Sequence, residues 1–99
     1  MSQPESKLSR KIMERLRQEG WFCYKNHGSD HMMAGLPDII VCAEGKFIGL
    51  ETKMPQSRGN VSPVQHLVHS KIENAGGTAR VICSPQEGVD VVNEVLGRS

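Results

Sequence analysis

Asp38, Glu51 and Lys53 are the residues of this chain whose types and spacing could do chemistry. They lie in the stretch Gly35 to Lys53, where two apolar runs, 38–43 and 46–53, flank Glu44-Gly45. Such a break has the form of a two-residue hairpin turn. Paired positions across a two-residue turn sum to a constant, which sets Asp38 opposite Glu51. Directly opposed residues of an antiparallel pair have Cβ atoms about 4.5–5.5 Å apart, and like charges so placed repel. A divalent cation would offset the repulsion, because hard cations take carboxylate oxygens and Mg²⁺ is typically held by one or two carboxylates plus substrate phosphates. Side chains alternate along a strand, so Lys53 emerges on the face of Glu51. Two acids and a lysine converge.

The elements that must position these groups follow from periodicity. Pro4 to Glu19 carries Leu8, Ile12 and Leu16 at helical spacing and ends at Gly20, a natural C′ glycine. At about 100° per residue, Glu5 projects within roughly 60° of that apolar stripe, whereas Glu14 falls on the opposite side. Glu5 admits two roles: a first-turn acid complementing the helix dipole, or a carboxylate turned toward the hairpin acids. Trp21 to Asn26 is a short strand, expected to join the hairpin's sheet. His27 to Leu36 is a loop, and its His27 and His31 lack the second pair of ligands that a zinc site needs.

On the hairpin, Ile39, Val41, Ile48 and Leu50 share one face and Ile40, Cys42 and Phe47 the other, so the sheet is expected to be covered on both sides. Gly49, opposite Ile40, leaves room for a close approach, expected from the first helix. Ser62-Pro63-Val64-Gln65 has the serine, N1 proline and N3 glutamine of a capping box, opening a helix to about Ala75 with Val64, Leu67, Val68 and Ile72 facing the core. His66 and His69 share a side of it and are read as surface residues. Thr78 to Cys83 is a fourth strand, reached by that helical crossover and so parallel to its neighbour. Ser84-Pro85-Gln86-Glu87 opens a last helix with Val89, Val92, Val95 and Leu96 inward. The fold is α/β with a mixed sheet: a helix, a three-stranded meander, a crossover helix, a fourth strand and a C-terminal helix.

The chain's 99 residues suggest one domain, 1–99. With 37% hydrophobic and 23% charged residues it is globular rather than disordered, and no apolar run is long enough to span a membrane. The polar start, Met1 to Leu8, has no signal-peptide core, so an intracellular site, the cytoplasm of a bacterium or of a bacterial host, is expected. Cys23, Cys42 and Cys83 are widely spaced and odd in number, which argues for free, buried thiols. A net charge of +1 permits a phosphate-backbone partner without demanding one. Lys7, Lys11, Lys25 and Arg58, all in the first sixty residues, are the candidates for such contacts.

Gly35-x-Pro37-Asp38, then Glu51-x-Lys53, then Gln65 inside the following helix, in this element order, resembles the PD-(D/E)xK nuclease superfamily. More narrowly the chain resembles the virus-type replication-repair nuclease (VRR-NUC) domain. The resemblance covers nearly the whole chain and implies a restriction-endonuclease-like core. It further implies that Glu5, Asp38 and Glu51, with the backbone carbonyl of Thr52, hold Mg²⁺ or Mn²⁺. Asp38, Glu51, Lys53 and Gln65 would be the catalytic residues, the lysine and glutamine beside the water and scissile phosphate. Lys53 as base or as electrostatic clamp, and Gln65 as catalyst or as helix cap, stay open.

By the resemblance the protein is a Mg²⁺- or Mn²⁺-dependent endodeoxyribonuclease of viral or bacterial DNA replication and repair. So small a domain has little surface to read base sequence, so recognition by shape and backbone is expected. Stand-alone members of the family are taken to be homodimers, and a two-fold dimer would present two sites to a four-way (Holliday) junction. Branched DNA is thus the expected partner. A non-catalytic nucleic-acid-binding or assembly module and a sequence-specific restriction-type endonuclease are the rival readings.

Overall fold

The structure, a computed structural model, describes residues 4–27 and 33–98. His31, and with it the His27/His31 pair, lies outside the described residues. The chain runs α1 (Pro4–Gln18), β1 (Phe22–Lys25), β2 (Ile39–Ala43), β3 (Lys46–Thr52), α2 (Pro63–Asn74), β4 (Thr78–Ile82) and α3 (Pro85–Val95), with a 3-10 turn at Pro55–Ser57. The four strands form one sheet in the order β1-β2-β3-β4. β1–β2 and β2–β3 are antiparallel, and β3–β4, joined through α2, is parallel.

The hairpin register is the one that a two-residue turn dictates. Ala43 pairs with Lys46 and Ile39 with Leu50, so the next positions outward are Asp38 and Glu51. Glu44 and Gly45 both have positive φ, 51° and 78°, the backbone of the type I′ turn that matches strand twist. Ile39, Val41, Ile48 and Leu50 are fully buried against Ile12 and Leu16 of α1 and Val89 and Val92 of α3. This face is the core, and burial of each such aliphatic side chain is worth about 1.5–3 kcal/mol.

The other face departs from expectation. It is covered over only part of its area: Phe22 is 66% exposed and Phe47 48%, and Tyr24 is exposed as well. α2 lies toward one side of the sheet, where Val68 is buried, leaving Val64 and Leu67 of its apolar stripe exposed. Between α2, Phe47, Met33 and Leu36 an apolar groove of about 310 Å³ stays open, and no candidate site residue lines it. Cys42, on this open face, is exposed, whereas Cys23 and Cys83 are buried; all three are free. His69 is half-buried with its Nε2 enclosed and unpartnered, so it is no surface residue. Burial, and then the neighbouring His66, lower its pKa. Among the described residues no helix is long and apolar enough to cross a membrane.

Candidate active site

Asp38 stands immediately before β2 and is fixed on every side. Its Oδ1 accepts the backbone N–H of Thr52 at 2.7 Å, and its Oδ2 accepts the hydroxyl of Ser9, on α1, at 3.2 Å. Its carbonyl accepts the N–H of Asn26 at 2.8 Å, while Asn26 Nδ2 donates to the Pro37 carbonyl, also at 2.8 Å. Thr52 lies between Glu51 and Lys53, so the bond that orients Asp38 also ties it to the Glu-x-Lys segment.

Two glycines seat the approach to Asp38. Gly35 has φ +88°, and a Cβ there would come within 2.6 Å of the Val64 carbonyl oxygen in the first turn of α2. Only glycine satisfies both conditions. At Gly49 a Cβ would come within 2.5 Å of Pro37 Cγ and 3.7 Å of Ile72 Cδ1. The close approach at Gly49 is thus made by Pro37 and α2, not by the first helix; α1 packs on the opposite face of the sheet. Gly35 and Pro37 are thus wedged between α2 and the sheet, and Asp38 follows them.

Glu51 is only 6% exposed, and its Oε1 is enclosed without a hydrogen-bond partner. Burial, reinforced by the charge of Asp38 and more weakly by Glu5, pushes its carboxyl up to about 7, with Lys53 acting in the opposite direction. Burial raises Asp38 as well, against the lowering effect of the Thr52 N–H and the Ser9 hydroxyl. Two adjoining carboxyl groups are therefore both biased toward the neutral form. A buried carboxylate oxygen without a partner is costly, and a hard divalent cation is the species that oxygen donors of this kind accommodate. The donor set fits such an ion.

The remaining expected residues fall as follows. Glu5 is exposed in the first turn of α1, within electrostatic reach of Glu51. Among the described residues no three His, Cys, Asp or Glu side chains are gathered closely enough to hold a metal ion. Asp38 and Glu51 are the assembled pair, and Glu5 acts from longer range. Thr52 is fully buried, and Lys53, half-buried, continues the parallel ladder by donating its N–H to the Ile82 carbonyl at 3.0 Å. Gln65 completes the capping box: its Oε1 accepts the Ser62 N–H at 3.0 Å, and its own N–H donates to Ser62 Oγ at 3.2 Å. Its Nε2 is the end left over for any further donation. Lys7 and Lys11 are exposed on α1, and Lys25 is half-buried at the end of β1. Arg58 is engaged by the Glu87 carboxylate at 2.5 and 2.7 Å, a pairing that raises its pKa and lowers that of Glu87.

Sequence reasoning overlooked Ser9 and Asn26. Ser9 carried a signal, since it lies one turn after Glu5 on the same inward stripe. Asn26 carried none, because β1 ends at Lys25 and β2 begins at Ile39, too far along the chain for a local period to set their register.

The elements and their order define an α/β protein with a nuclease-like core. Among solved structures, one described as "VRR_NUC domain" superposes with a TM-score of 0.74 at 20% sequence identity, covering 93% of this chain and 97% of that one. The chain has a VRR-NUC fold. No protein-family model matches the sequence, and no curated protein matches it.

Proposed function

We propose that this protein is a metal-dependent nuclease that hydrolyses phosphodiester bonds of DNA. One observation carries the reading: Asp38 is locked to the Glu-x-Lys segment by the 2.7 Å bond from Thr52, beside a buried Glu51 whose Oε1 has no partner. A fold alone has no use for two facing, desolvated carboxyl groups. Asp38 and Glu51 are the residues that would hold Mg²⁺ or Mn²⁺, with the Thr52 carbonyl as a further oxygen donor and Glu5 joining them only if α1 brings it nearer. When bound, the ion supplies charge stabilisation on the phosphate and a nucleophile at neutral pH.

The chain's own residues supply the rest. Lys53, just past the end of β3, places a positive charge two residues from Glu51, favouring the ionised carboxylate and offering a counter-charge to a phosphate oxygen. Gln65 Nε2 is a donor at the start of α2, where the positive end of the helix dipole also favours an anion. Lys7, Lys11 and Lys25 are available to the DNA backbone, whereas Arg58 is occupied by Glu87. Such contacts read charge and shape rather than sequence, which supports branched DNA, a four-way junction in replication or repair, as the substrate of a homodimer.

Cleavage of four-way, flap and linear duplex DNA by the purified protein with Mg²⁺ or Mn²⁺ tests the reading. Cleavage of branched substrates, lost in EDTA and in Asp38→Ala, is expected. Intact substrates with both metals, or an active Asp38→Ala, would refute it.

A further inference from the structure

Ser9 has a role that no acid–base chemistry assigns to it. Among the described residues the buried polar or charged side chains are Ser9, 1% exposed, Glu51 and Thr52. All three residues border Asp38: Ser9 donates to its carboxylate through the hydroxyl, Thr52 through the backbone N–H, and Glu51 feels its charge. A serine inside a helix ordinarily points to solvent or bonds back to a carbonyl one turn earlier. Ser9, in the interior of α1, instead donates across the fold to Asp38 Oδ2, 29 positions away. One donor, the Thr52 N–H on Oδ1, leaves the carboxylate free to turn about its last torsion. A second donor on Oδ2 fixes its plane.

We infer that Ser9 is a positioning residue: it sets the orientation in which Asp38 presents its remaining lone pairs to a divalent cation. It also couples α1 to the hairpin, so that Glu5, one turn before Ser9, keeps its distance to Glu51. This rests on the metal-dependent reading above. Groups that hydrogen-bond a metal ligand from behind typically contribute 10–100-fold to metal affinity.

Titration calorimetry with Mn²⁺ alone, on wild type, Ser9→Ala and Ser9→Cys, tests the role, alongside thermal unfolding in EDTA. Ser9→Ala is expected to lower Mn²⁺ affinity by about tenfold or more. Ser9→Cys retains most of the volume with a weaker donor and should fall between the two; it decides the matter if Ser9→Ala does not fold. A serine needed only for packing would lower the EDTA melting temperature and leave Mn²⁺ affinity within about twofold of wild type; that result overturns the inference while the metal-dependent reading stands. Absence of Mn²⁺ binding by the wild type overturns that reading, and the role of Ser9 with it.

Discussion

Pro37 rests on Gly49 so closely that a single added methyl group would lie 2.5 Å from the proline Cγ. Neither partner can yield easily, since Pro37 is a ring fused to the backbone and Gly49 is in the middle of β3. The contact sets the height at which Asp38, the next residue, leaves the sheet.

Gly49→Ala should therefore destabilise the protein by about 1–3 kcal/mol, the usual cost of overpacking, and weaken Mn²⁺ binding by displacing Asp38. Denaturant unfolding and calorimetry measure the two effects. Adding Pro37→Ala to Gly49→Ala should recover part of the loss, a coupling that a double-mutant cycle reads directly. Strictly additive losses would mean that the contact does not set the site.

The stability of the metal-free protein should fall as pH rises. Glu51 ordinarily titrates near 4.5 and is pushed up to about 7 in the folded protein, so between those values the folded state holds a proton that the unfolded state has lost. The contribution of Glu51 to stability is then fully present below about 4.5, declines through 7 and levels above it. Asp38, also raised, adds in the same direction. Melting temperatures in EDTA at pH 5 and pH 8 check the sign, and Glu51→Gln should flatten the dependence and stabilise the protein at pH 8 by about 1–3 kcal/mol.

Added Mn²⁺ should reverse that trend. Ionised carboxylates bind the ion and protons compete with it, so the rise in melting temperature with saturating Mn²⁺ should be larger at pH 8 than at pH 5.5. A ligand at a hundredfold excess over its Kd stabilises by about 2.7 kcal/mol. Asp38→Asn and Glu51→Gln should each abolish the increment; an undiminished increment in either variant would place the ion elsewhere.

Gln65→Glu separates helix capping from catalysis. Glutamate at N3 still accepts from the N-cap N–H, so stability should stay within about 0.5 kcal/mol of wild type. The substitution removes the Nε2 donor and adds negative charge, and cleavage should drop by at least about tenfold if that donor meets the phosphate. Full activity in Gln65→Glu would leave Gln65 as a cap alone.

Arg58→Ala should have little effect. Its pairing with Glu87 is exposed, and surface ion pairs of this kind are worth about 0–1 kcal/mol. Ser84→Ala, which removes the hydroxyl that accepts the Glu87 N–H at 3.1 Å, should cost about 1 kcal/mol. Unfolding of the two variants side by side gives the comparison, and a larger loss in Arg58→Ala would reverse this ranking.

What the sequence determined by itself is local or periodic. A two-residue turn with positive φ at Glu44 and Gly45 leaves one hairpin register, and strand alternation then sorts every side chain to a face. Helical spacing selected the stripe of α1, and serine with N1 proline marked the start of α2 and α3. The tertiary structure alone decided which distant groups meet. That Gly49 receives Pro37 rather than α1, that α2 leaves Phe47 and Leu67 in the open, and that Arg58 finds Glu87 depend on how layers stack, which no local period encodes. The same holds at the site: the acids were legible as a facing pair, but the donors that fix Asp38, Ser9 from a helix and Asn26 just past an edge strand, come from parts of the chain joined to it only by packing.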